Sequence, residues 1–245
     1  MSDKAENLQR IYQRRFNPTA AYRHRVWGVL TRSFFCRWIS PESAVLDLGC
    51  GYGEFINNVR AASKFAMDLN PDSPAHLNDG IRFLSQDCSK VWPLPDDSLD
   101  TVFTSNFFEH LSDKAALRET LRQALRCLKP GGKLIALGPN IKYLPGRYWD
   151  FFDHHIALTE SSLAEALEVE GFSISRPLRA SCRSRWSTAP TIPCSSCGST
   201  WRCRGCGGSG VASSSSSRRS RPKRREARAP SSSAEVVFRD HPCQG

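Results

Sequence analysis

The stretch VLDLGCGYGEF, residues 45–55, decides the fold of this 245-residue chain. Its apolar start predicts a buried strand that ends at Asp47, and the residues from Glu54 onward predict a helix. Three glycines stand between them, at Gly49, Gly51 and Gly53. Glycine lets the backbone take a positive φ and lets a ligand lie against the main chain. We therefore expect a ligand-binding turn, with a tight turn that binds nothing as the alternative.

The spacing of these glycines argues against a dinucleotide site. A nicotinamide or flavin fingerprint reads G-x-G-x-x-G and places a pyrophosphate at the start of the helix. Here the spacing is G-x-G-x-G, and Glu54 takes the place of the last glycine. Since a carboxylate is a poor neighbour for a pyrophosphate, we expect a different ligand.

Strands and helices alternate along the rest of the first 178 residues. Apolar runs predict further strands at 64–69, 81–86, 101–106, 133–138 and 172–175. Helices are predicted at 5–15, 19–38, 54–62, 113–128 and 159–171. This alternation predicts an α/β fold with a parallel sheet and helices on both faces.

Polar residues follow the predicted strands at their carboxyl ends. Asp68 ends the second strand, Asp87 and Cys88 follow the third, and Asn106 ends the fourth. Ligands of open α/β sheets bind at this edge. A carboxylate at the position of Asp68 can accept both hydroxyls of a ribose.

Four segments, in this order along the chain, resemble the class I S-adenosylmethionine-dependent methyltransferases. They are VLDLGCGYGEF, MDLNPD, WPLPDDSLDTVFTSNFFEHL and LRCLKPGGKLIALGPN, and the similarity runs from about residue 40 to 177. It implies a Rossmann-like sheet, S-adenosylmethionine as the cofactor, and methyl transfer as the activity. The family's sheet has a seventh, antiparallel strand beside the sixth. Only the short segment 234–240 offers one here, so we expect that strand to be missing or altered.

The same resemblance implies a cofactor site at the carboxyl edge of the sheet. The glycine turn would surround the methionine moiety, Asp68 would bind the ribose, and Asn106 would lie near the sulfonium. The full set of expected cofactor-binding residues is Asp47, Gly49, Cys50, Gly51, Gly53, Asp68, Leu69, Asp87, Cys88 and Asn106. Tyr12 and Arg15 are further candidates for closing over the cofactor.

Three histidines are candidate catalytic bases. His110 lies in NFFEHL, and His154 and His155 lie in YWDFFDHH, where a lid over the substrate is expected. Histidine removes protons near neutral pH, which a hydroxyl acceptor requires. A structural role at a helix start is the alternative for His110, and lid packing is the alternative for the aromatic residues. We expect no metal site among Asp150, Asp153 and the two adjacent histidines, because neighbours on an extended chain point to opposite sides.

Charge divides the chain into two parts. Residues 1–178 hold 21 Lys and Arg and 21 Asp and Glu, whereas residues 179–245 hold 13 and 3, which accounts for the whole net charge of +10. We expect an N-terminal helical cap at 1–38, a methyltransferase domain at 39–178 and a low-complexity tail at 179–245. The polar start and the lack of a stretch of about 20 apolar residues predict a soluble, cytoplasmic protein without a membrane span.

The tail is open to three interpretations. The pairs Cys194/Cys197 and Cys203/Cys206 have the internal spacing of zinc ligands, but only five residues separate them. The basic, serine-rich run 211–233 is typical of a disordered arm. We favour translation out of frame, because the codons of Ser213–Ser217 read in a neighbouring frame would encode an apolar strand. The sheet of this chain would then end in an unpaired edge beside the sixth strand.

The acceptor is expected to be a small molecule or a glycan. Residues 1–178 lack the excess of positive charge that nucleic acid binding requires, and an aromatic lid suits a compact substrate. Two alternatives stay open. One is an RNA or protein methyltransferase that uses the basic tail as a tether, and the other is a catalytically silent module that binds S-adenosylmethionine.

Overall fold

The structure, a computed structural model, describes residues 9–14, 19–144, 146–180 and 232–239. They belong to one compact unit, Met1–Cys182 with Ala229–Gly245. The α-helices are α1 Ala20–Ser33, α2 Glu54–Asn58, α3 Lys114–Cys127 and α4 Glu160–Val169, and residues 9–14 are also helical. The strands are β1 Ala44–Leu48, β2 Ser63–Asp68, β3 Ile81–Ser85, β4 Leu99–Ser105, β5 Leu128–Pro139, β6 Ser173–Ala180 and β7 Ser233–Arg239. No helix in these ranges has both the length and the apolar character needed to cross a bilayer.

The strands of the described residues form one sheet in the order β3-β2-β1-β4-β5-β7-β6. Every neighbouring pair is parallel. The chain builds one half of the sheet outward from β1 and then returns to build the other half from β4. The crevice at this reversal, beside the carboxyl ends of β1 and β4, is where open α/β sheets bind ligands. The predicted α/β class is confirmed.

Alternating side chains of the strands supply a core on each face of the sheet. In β1, Val45 packs on one face, whereas Leu46 and Leu48 pack on the other. Helices α3 and α4 cover the face of Leu46, and helices α1 and α2 cover the face of Val45. Since residues two apart on a strand share a face, Asp47 lies on the side that α1 and α2 cover.

An aromatic cluster holds α1 and α2 against the sheet. Phe103 of β4 stacks on Phe55 of α2, with ring centroids 3.6 Å apart, and its ring lies 5.1 Å from that of Phe35. Trp27 of α1 packs edge-on against both Phe103 and Phe55. All four side chains are buried. This cluster therefore positions the short helix that follows the glycine turn.

Several elements differ in length from the prediction. Helix α1 ends at Ser33 instead of residue 38, and β6 covers Ser173–Ala180 instead of 172–175. Helix α2 ends at Asn58 instead of residue 62, because two asparagine side chains bind main-chain groups there. The Asn58 amide donates to the Glu54 carbonyl at 2.8 Å, and the Asn57 amide oxygen accepts from the main chain of Asn78 at 2.9 Å. Strand β5 begins directly after α3 and passes through a register shift before it reaches the predicted segment.

The predicted gap beside β6 is filled, so the expectation of an unpaired edge there is wrong. Strand β7 lies between β5 and β6 and pairs with both. It is altered relative to the strand that the family resemblance implies, since it runs parallel to its neighbours instead of antiparallel. Parallel neighbours need a long connection, and 52 residues separate Ala180 from Ser233.

The filled gap removes the main reason for reading the tail out of frame. The strand comes from the segment 234–240 that the sequence offers in frame, extended by Ser233. The predicted boundary at residue 178 falls inside β6. The zinc-like cysteine pairs and the serine run 213–217 lie outside the described residues.

Phe103→Ala should lower the free energy of unfolding by about 3–5 kcal/mol, because it removes a buried ring and leaves a cavity under α1 and α2. Phe152→Ala is the matched control. Its ring is 96% exposed, so the same truncation should change stability by less than about 0.5 kcal/mol. Urea unfolding measures both, and equal effects would contradict the assigned core.

Candidate active site

The chain turns sharply at the carboxyl end of β1. Gly49, Gly51 and Gly53 have φ angles of 70°, 54° and 74°, all in the left-handed region. The main-chain N–H groups of Gly49 and Cys50 donate to the Met67 carbonyl at 2.9 and 3.1 Å. These bonds fix the turn to the end of β2, and α2 starts directly after Gly53.

The Asp68 carboxylate ties the glycine turn to the tip of β2. Its Oδ2 accepts the Gly51 N–H and its Oδ1 accepts the Asn70 N–H, each at 2.8 Å. The side chain is buried, which raises the pKa of Asp68, and the bonds from the Asn70 and Gly51 main chain oppose that shift. Each carboxylate oxygen has a further lone pair. Asp68 can therefore accept ligand hydroxyls while it holds the turn.

An added side chain would collide with a neighbour at all three glycines, and at Gly53 its Cβ would stand 2.5 Å from the Leu77 side chain. A Cβ on Gly49 would stand 2.2 Å from the Phe107 ring, and a Cβ on Gly51 would stand 3.0 Å from the Tyr12 ring. The positive φ angles would strain any other residue as well. Phe107 and Tyr12 thus pack directly on the turn beside a buried carboxylate, so only glycine fits at these positions.

Acidic groups concentrate around this turn. Asp47 is buried, which raises its pKa well above the usual range, and the charges of Glu54 and Asp68 raise it further against a bond from the Ile56 main chain. Glu54 is paired with Arg23 of α1 at 2.9 Å. Burial disfavours the charged form of Asp47 and Arg23 pairs with Glu54, so Asp68 is the carboxylate of the three that is best placed to meet a ligand.

The helical segment 9–14 is attached beside the turn. Gln9 and Gln13 are one helical turn apart, and both side chains donate to the Asp72 carboxylate, at 2.8 and 3.2 Å. Tyr12 projects between them and packs against the glycine turn. Two amide donors on one carboxylate therefore hold an aromatic ring over the turn. Arg15, the other residue proposed for this covering role, lies outside the described residues.

The predicted adenine-side residues follow β2 and β3 along the same edge. Leu69 is 40% exposed. Asp87 closes a turn after β3, where its carboxylate accepts the N–H and the hydroxyl of Ser89 at 2.9 and 2.7 Å. The Cys88 thiol is buried in the core and accepts from the Thr120 hydroxyl at 3.3 Å, while the Cys88 carbonyl accepts the Trp92 indole N–H at 2.8 Å.

Asn106 follows β4 with a φ of 49°, a conformation uncommon outside glycine. Its N–H donates to the Leu137 carbonyl at 2.8 Å, which fixes this loop to β5. Backbone strain of this kind concentrates at functional sites. Asn106 thus lies at the carboxyl end of β4. This is beside the point between the adjacent strands β1 and β4 at which the strand order reverses.

Two of the three candidate histidines, His110 and His154, lie next to each other in the loops that follow β4 and β5. The 3₁₀ helix Phe108–His110 brings the His110 ring to 4.8 Å from the His154 ring. His110 Nδ1 lies 3.0 Å from the Asp153 carbonyl oxygen and 3.3 Å from its carboxylate. His154 also stacks on Phe151, with centroids 5.0 Å apart.

A third residue, Glu109, lies beside these two histidines, and we call Glu109, His110 and His154 the histidine cluster. Glu109 was not predicted from the sequence. Its side chain is buried, and the potential metal-ligand atoms of the three residues all lie within 4.8 Å of one another. The Glu109 carbonyl accepts the N–H groups of His155 and Ile156 at 2.8 and 3.2 Å, which holds the two segments together. The His155 side chain is exposed. The one signal for Glu109 was a carboxylate beside a histidine in the apolar run FFEHL.

The chain is similar to known methyltransferases in the region of this site. Residues 46–136 match the family model described as a methyltransferase domain. A protein of Mycolicibacterium smegmatis, named a probable S-adenosylmethionine-dependent methyltransferase, is 30% identical over 136 residues, 53% of this chain and 52% of that protein. A malonyl-[acyl-carrier protein] O-methyltransferase of Paenibacillus sp. is 26% identical over 196 residues, 69% of this chain and 66% of that protein.

A solved structure agrees with these sequence matches. The crystal structure of an S-adenosylmethionine-dependent methyltransferase from Archaeoglobus fulgidus has a TM-score of 0.53 and 26% identity, over 62% of this chain and 69% of that one. This chain spans less than two thirds of the length of the two sequence relatives. The family model includes the glycine turn, Asp68 and His110, while His154 lies beyond it.

Asp47→Asn should change how stability depends on pH. The folded pKa of Asp47 is raised, so its contribution to the free energy of unfolding is present below its unfolded pKa of about 4 and is lost as the pH rises through the folded value. Urea unfolding should show wild-type stability falling relative to Asp47→Asn over that range. Asp79→Asn, at an exposed position, should leave the dependence unchanged. Parallel curves for wild type and Asp47→Asn would contradict this environment.

Proposed function

We propose that this chain, which carries a class I S-adenosylmethionine-dependent methyltransferase domain, transfers a methyl group from S-adenosylmethionine to a small-molecule or glycan-type acceptor. The observation that carries the proposal is the turn of three left-handed glycines beside Asp68, surrounded by carboxylates. A cytoplasmic location stays a prediction from the sequence.

The residues around the turn fit this cofactor. S-adenosylmethionine supplies an electrophilic methyl group on a positively charged sulfonium, so the protein has to orient the reactants more than activate the donor. Glu54 and Asp68 place carboxylates beside the turn, where the positively charged groups of the cofactor would lie. The same charges disfavour the pyrophosphate of a dinucleotide.

We assign the cofactor contacts along the carboxyl edge of the sheet. The main chain from Gly49 to Gly53, including Cys50, lies against the methionine moiety, and Asp68 binds the ribose hydroxyls. Leu69, Asp87 and the Cys88 main chain face the adenine. Asn106 lies at the sulfonium end, because it follows β4 across the crevice from the glycine turn.

The acceptor side lies beyond Asn106, at the histidine cluster. The segment after β5 exposes Trp149 at 52% and Phe152 at 96%. Exposed aromatic rings at the mouth of a site offer flat apolar contact to a small molecule or a sugar ring. The Paenibacillus relative is named an O-methyltransferase, which supports an oxygen atom as the nucleophile.

A hydroxyl acceptor loses a proton when it is methylated, and we place that loss at the histidine cluster. Asp153 orients the His110 ring, and the rings of Tyr148 and Phe151 pack against His154. A base held in position by its neighbours is what general base catalysis requires. A catalytic role for His155 stays a prediction from the sequence.

An RNA or protein acceptor is the second candidate, favoured by the +10 charge of residues 179–245. Deleting that tail would also remove β7, so the sharper variant replaces the six basic residues of 218–225 by glutamine and keeps 233–239. RNA binding that depends steeply on salt, and is lost in this variant, would favour the second candidate. Cofactor binding without turnover on any acceptor would identify a silent binding module.

Asp68→Asn should weaken S-adenosylmethionine binding by roughly 10- to 100-fold, because the ribose hydroxyls lose a charged acceptor. Asp79→Asn removes the same charge at an exposed position and should bind as the wild type does. Isothermal titration calorimetry measures both affinities, and circular dichroism confirms that both variants are folded. Unchanged affinity in Asp68→Asn would overturn the assignment of the ribose site.

Methyl transfer is expected to label small molecules or glycans. The protein is incubated with S-adenosylmethionine that carries a radioactive methyl group, together with separate fractions of hydroxylated metabolites, oligosaccharides, total RNA and cell protein. Label should enter one of the first two fractions, and Asp68→Asn should abolish the transfer at limiting cofactor. Label confined to RNA or protein would replace the proposed acceptor class by the second candidate.

A further inference from the structure

The histidine cluster has the composition of a metal site. Glu109, His110 and His154 each offer one ligand atom, and these atoms lie within 4.8 Å of one another. Atoms bound to one ion at about 2.1 Å in tetrahedral or octahedral positions stand about 3.0–3.4 Å apart, so the ligand atoms would close by up to roughly 1.4–1.8 Å, which side-chain rotations can supply. The residues come from two separate segments, 109–110 and 154, so the pattern of residues within 150–155 alone does not indicate the site.

The His110 ring is oriented by a hydrogen bond of the kind that orients metal-binding histidines. Its Nδ1 lies within hydrogen-bond distance of the Asp153 carbonyl oxygen, at 3.0 Å, and near the Asp153 carboxylate, at 3.3 Å. A proton on Nδ1 satisfies this bond and leaves the ring's lone pair on Nε2. A carbonyl or carboxylate behind the ring is the usual partner of a ligating histidine, because it fixes the tautomer and the orientation.

The carboxylate of the cluster is enclosed by the fold. The Glu109 side chain is 2% exposed, and its Oε2 faces Gly138 at the carboxyl end of β5, 3.8 Å from where a Cβ would stand. Buried charges in proteins are compensated by pairing or by a metal ion. The main-chain bonds from His155 and Ile156 to Glu109 hold the cluster together across the two segments.

We propose that Glu109, His110 and His154 bind a divalent first-row transition-metal ion beside the acceptor site. Two imidazoles and one carboxylate suit Mn²⁺, Fe²⁺, Co²⁺ or Zn²⁺ better than Mg²⁺ or Ca²⁺, which prefer oxygen ligands. An ion held by three side chains has positions open to an acceptor hydroxyl, whose pKa it lowers. With the ion bound, His110 and His154 serve as ligands instead of as the general base described under the proposed function, and the proton is lost from the metal-bound hydroxyl to solvent. The metal site does not rest on the proposed methyl transfer, because binding is measured without cofactor or acceptor.

Mn²⁺ is the probe, because residues 179–245 carry six of the ten cysteines and thiolates compete for Zn²⁺ and Co²⁺ more than for Mn²⁺. Untagged full-length protein is titrated with Mn²⁺, and the electron paramagnetic resonance signal of the free ion is followed. We expect one Mn²⁺ per chain. Glu109→Gln and His154→Gln should each weaken binding at least tenfold, and Asp153→Asn about tenfold. His24→Gln, which removes an exposed histidine on α1, should bind as the wild type does.

A second measurement uses the unmodified protein, so it does not depend on how the variants fold. Mn²⁺ should broaden the ring NMR signals of His110 and His154 before those of His24 and His76. Variants that lose Mn²⁺ at an unchanged melting temperature support the site. The proposal is overturned if the wild type binds no Mn²⁺, if both ligand variants bind it as tightly as the wild type, or if the broadening is not selective. Failure of methyl transfer with Mn²⁺ binding intact would count against the proposed function and leave the metal site standing.

Discussion

The hydrogen bond from the Gly51 N–H to the Asp68 carboxylate joins the two strand tips on which the site is built. It is 2.8 Å long and buried, and the backbone reaches it through successive left-handed conformations that glycine alone adopts without strain. The same turn sets the direction of α2 and so delivers Phe55 to the aromatic cluster. One face of the core and the ligand edge therefore depend on the same few residues, and a substitution in the turn would disturb both.

The strands and the glycine turn were predictable because their signals are local. Apolar runs bounded by polar residues mark β1 to β4, and Asp113, which accepts the Ala116 N–H, marks the start of α3. The early end of α2 was not predictable, since it depends on Asn57 reaching Asn78, 21 residues away. The pairing of β7 was missed for a similar reason. Its partners lie about 60 and 100 positions earlier in the chain, and a short seven-residue segment carries little information about them.

The residues of the candidate site, like the elements of the fold, were predictable only where their signals are local. The cofactor-side residues were predicted because each follows a strand, and parallel strands bring their carboxyl ends to one edge. The histidine cluster was predicted only in part. His110 and His154 were candidates on chemical grounds, but their contact with each other and with Glu109 depends on main-chain bonds across more than 40 residues. Both histidines were considered as single bases, whereas the fold brings their rings to 4.8 Å from each other and beside Glu109.

The position of β7 has a consequence for the order in which the molecule assembles. Strands β1 to β5 occupy residues 44–139 and can pair as soon as that length of chain has left the ribosome. Among the described residues, the sixth strand pairs only with β7, which is synthesised more than 50 residues later. Until then one margin of the nascent sheet is open to other chains, and its closure waits for contacts of high sequence separation, which form slowly. A chaperone that occupies the β5 edge during synthesis would therefore raise the yield of folded protein.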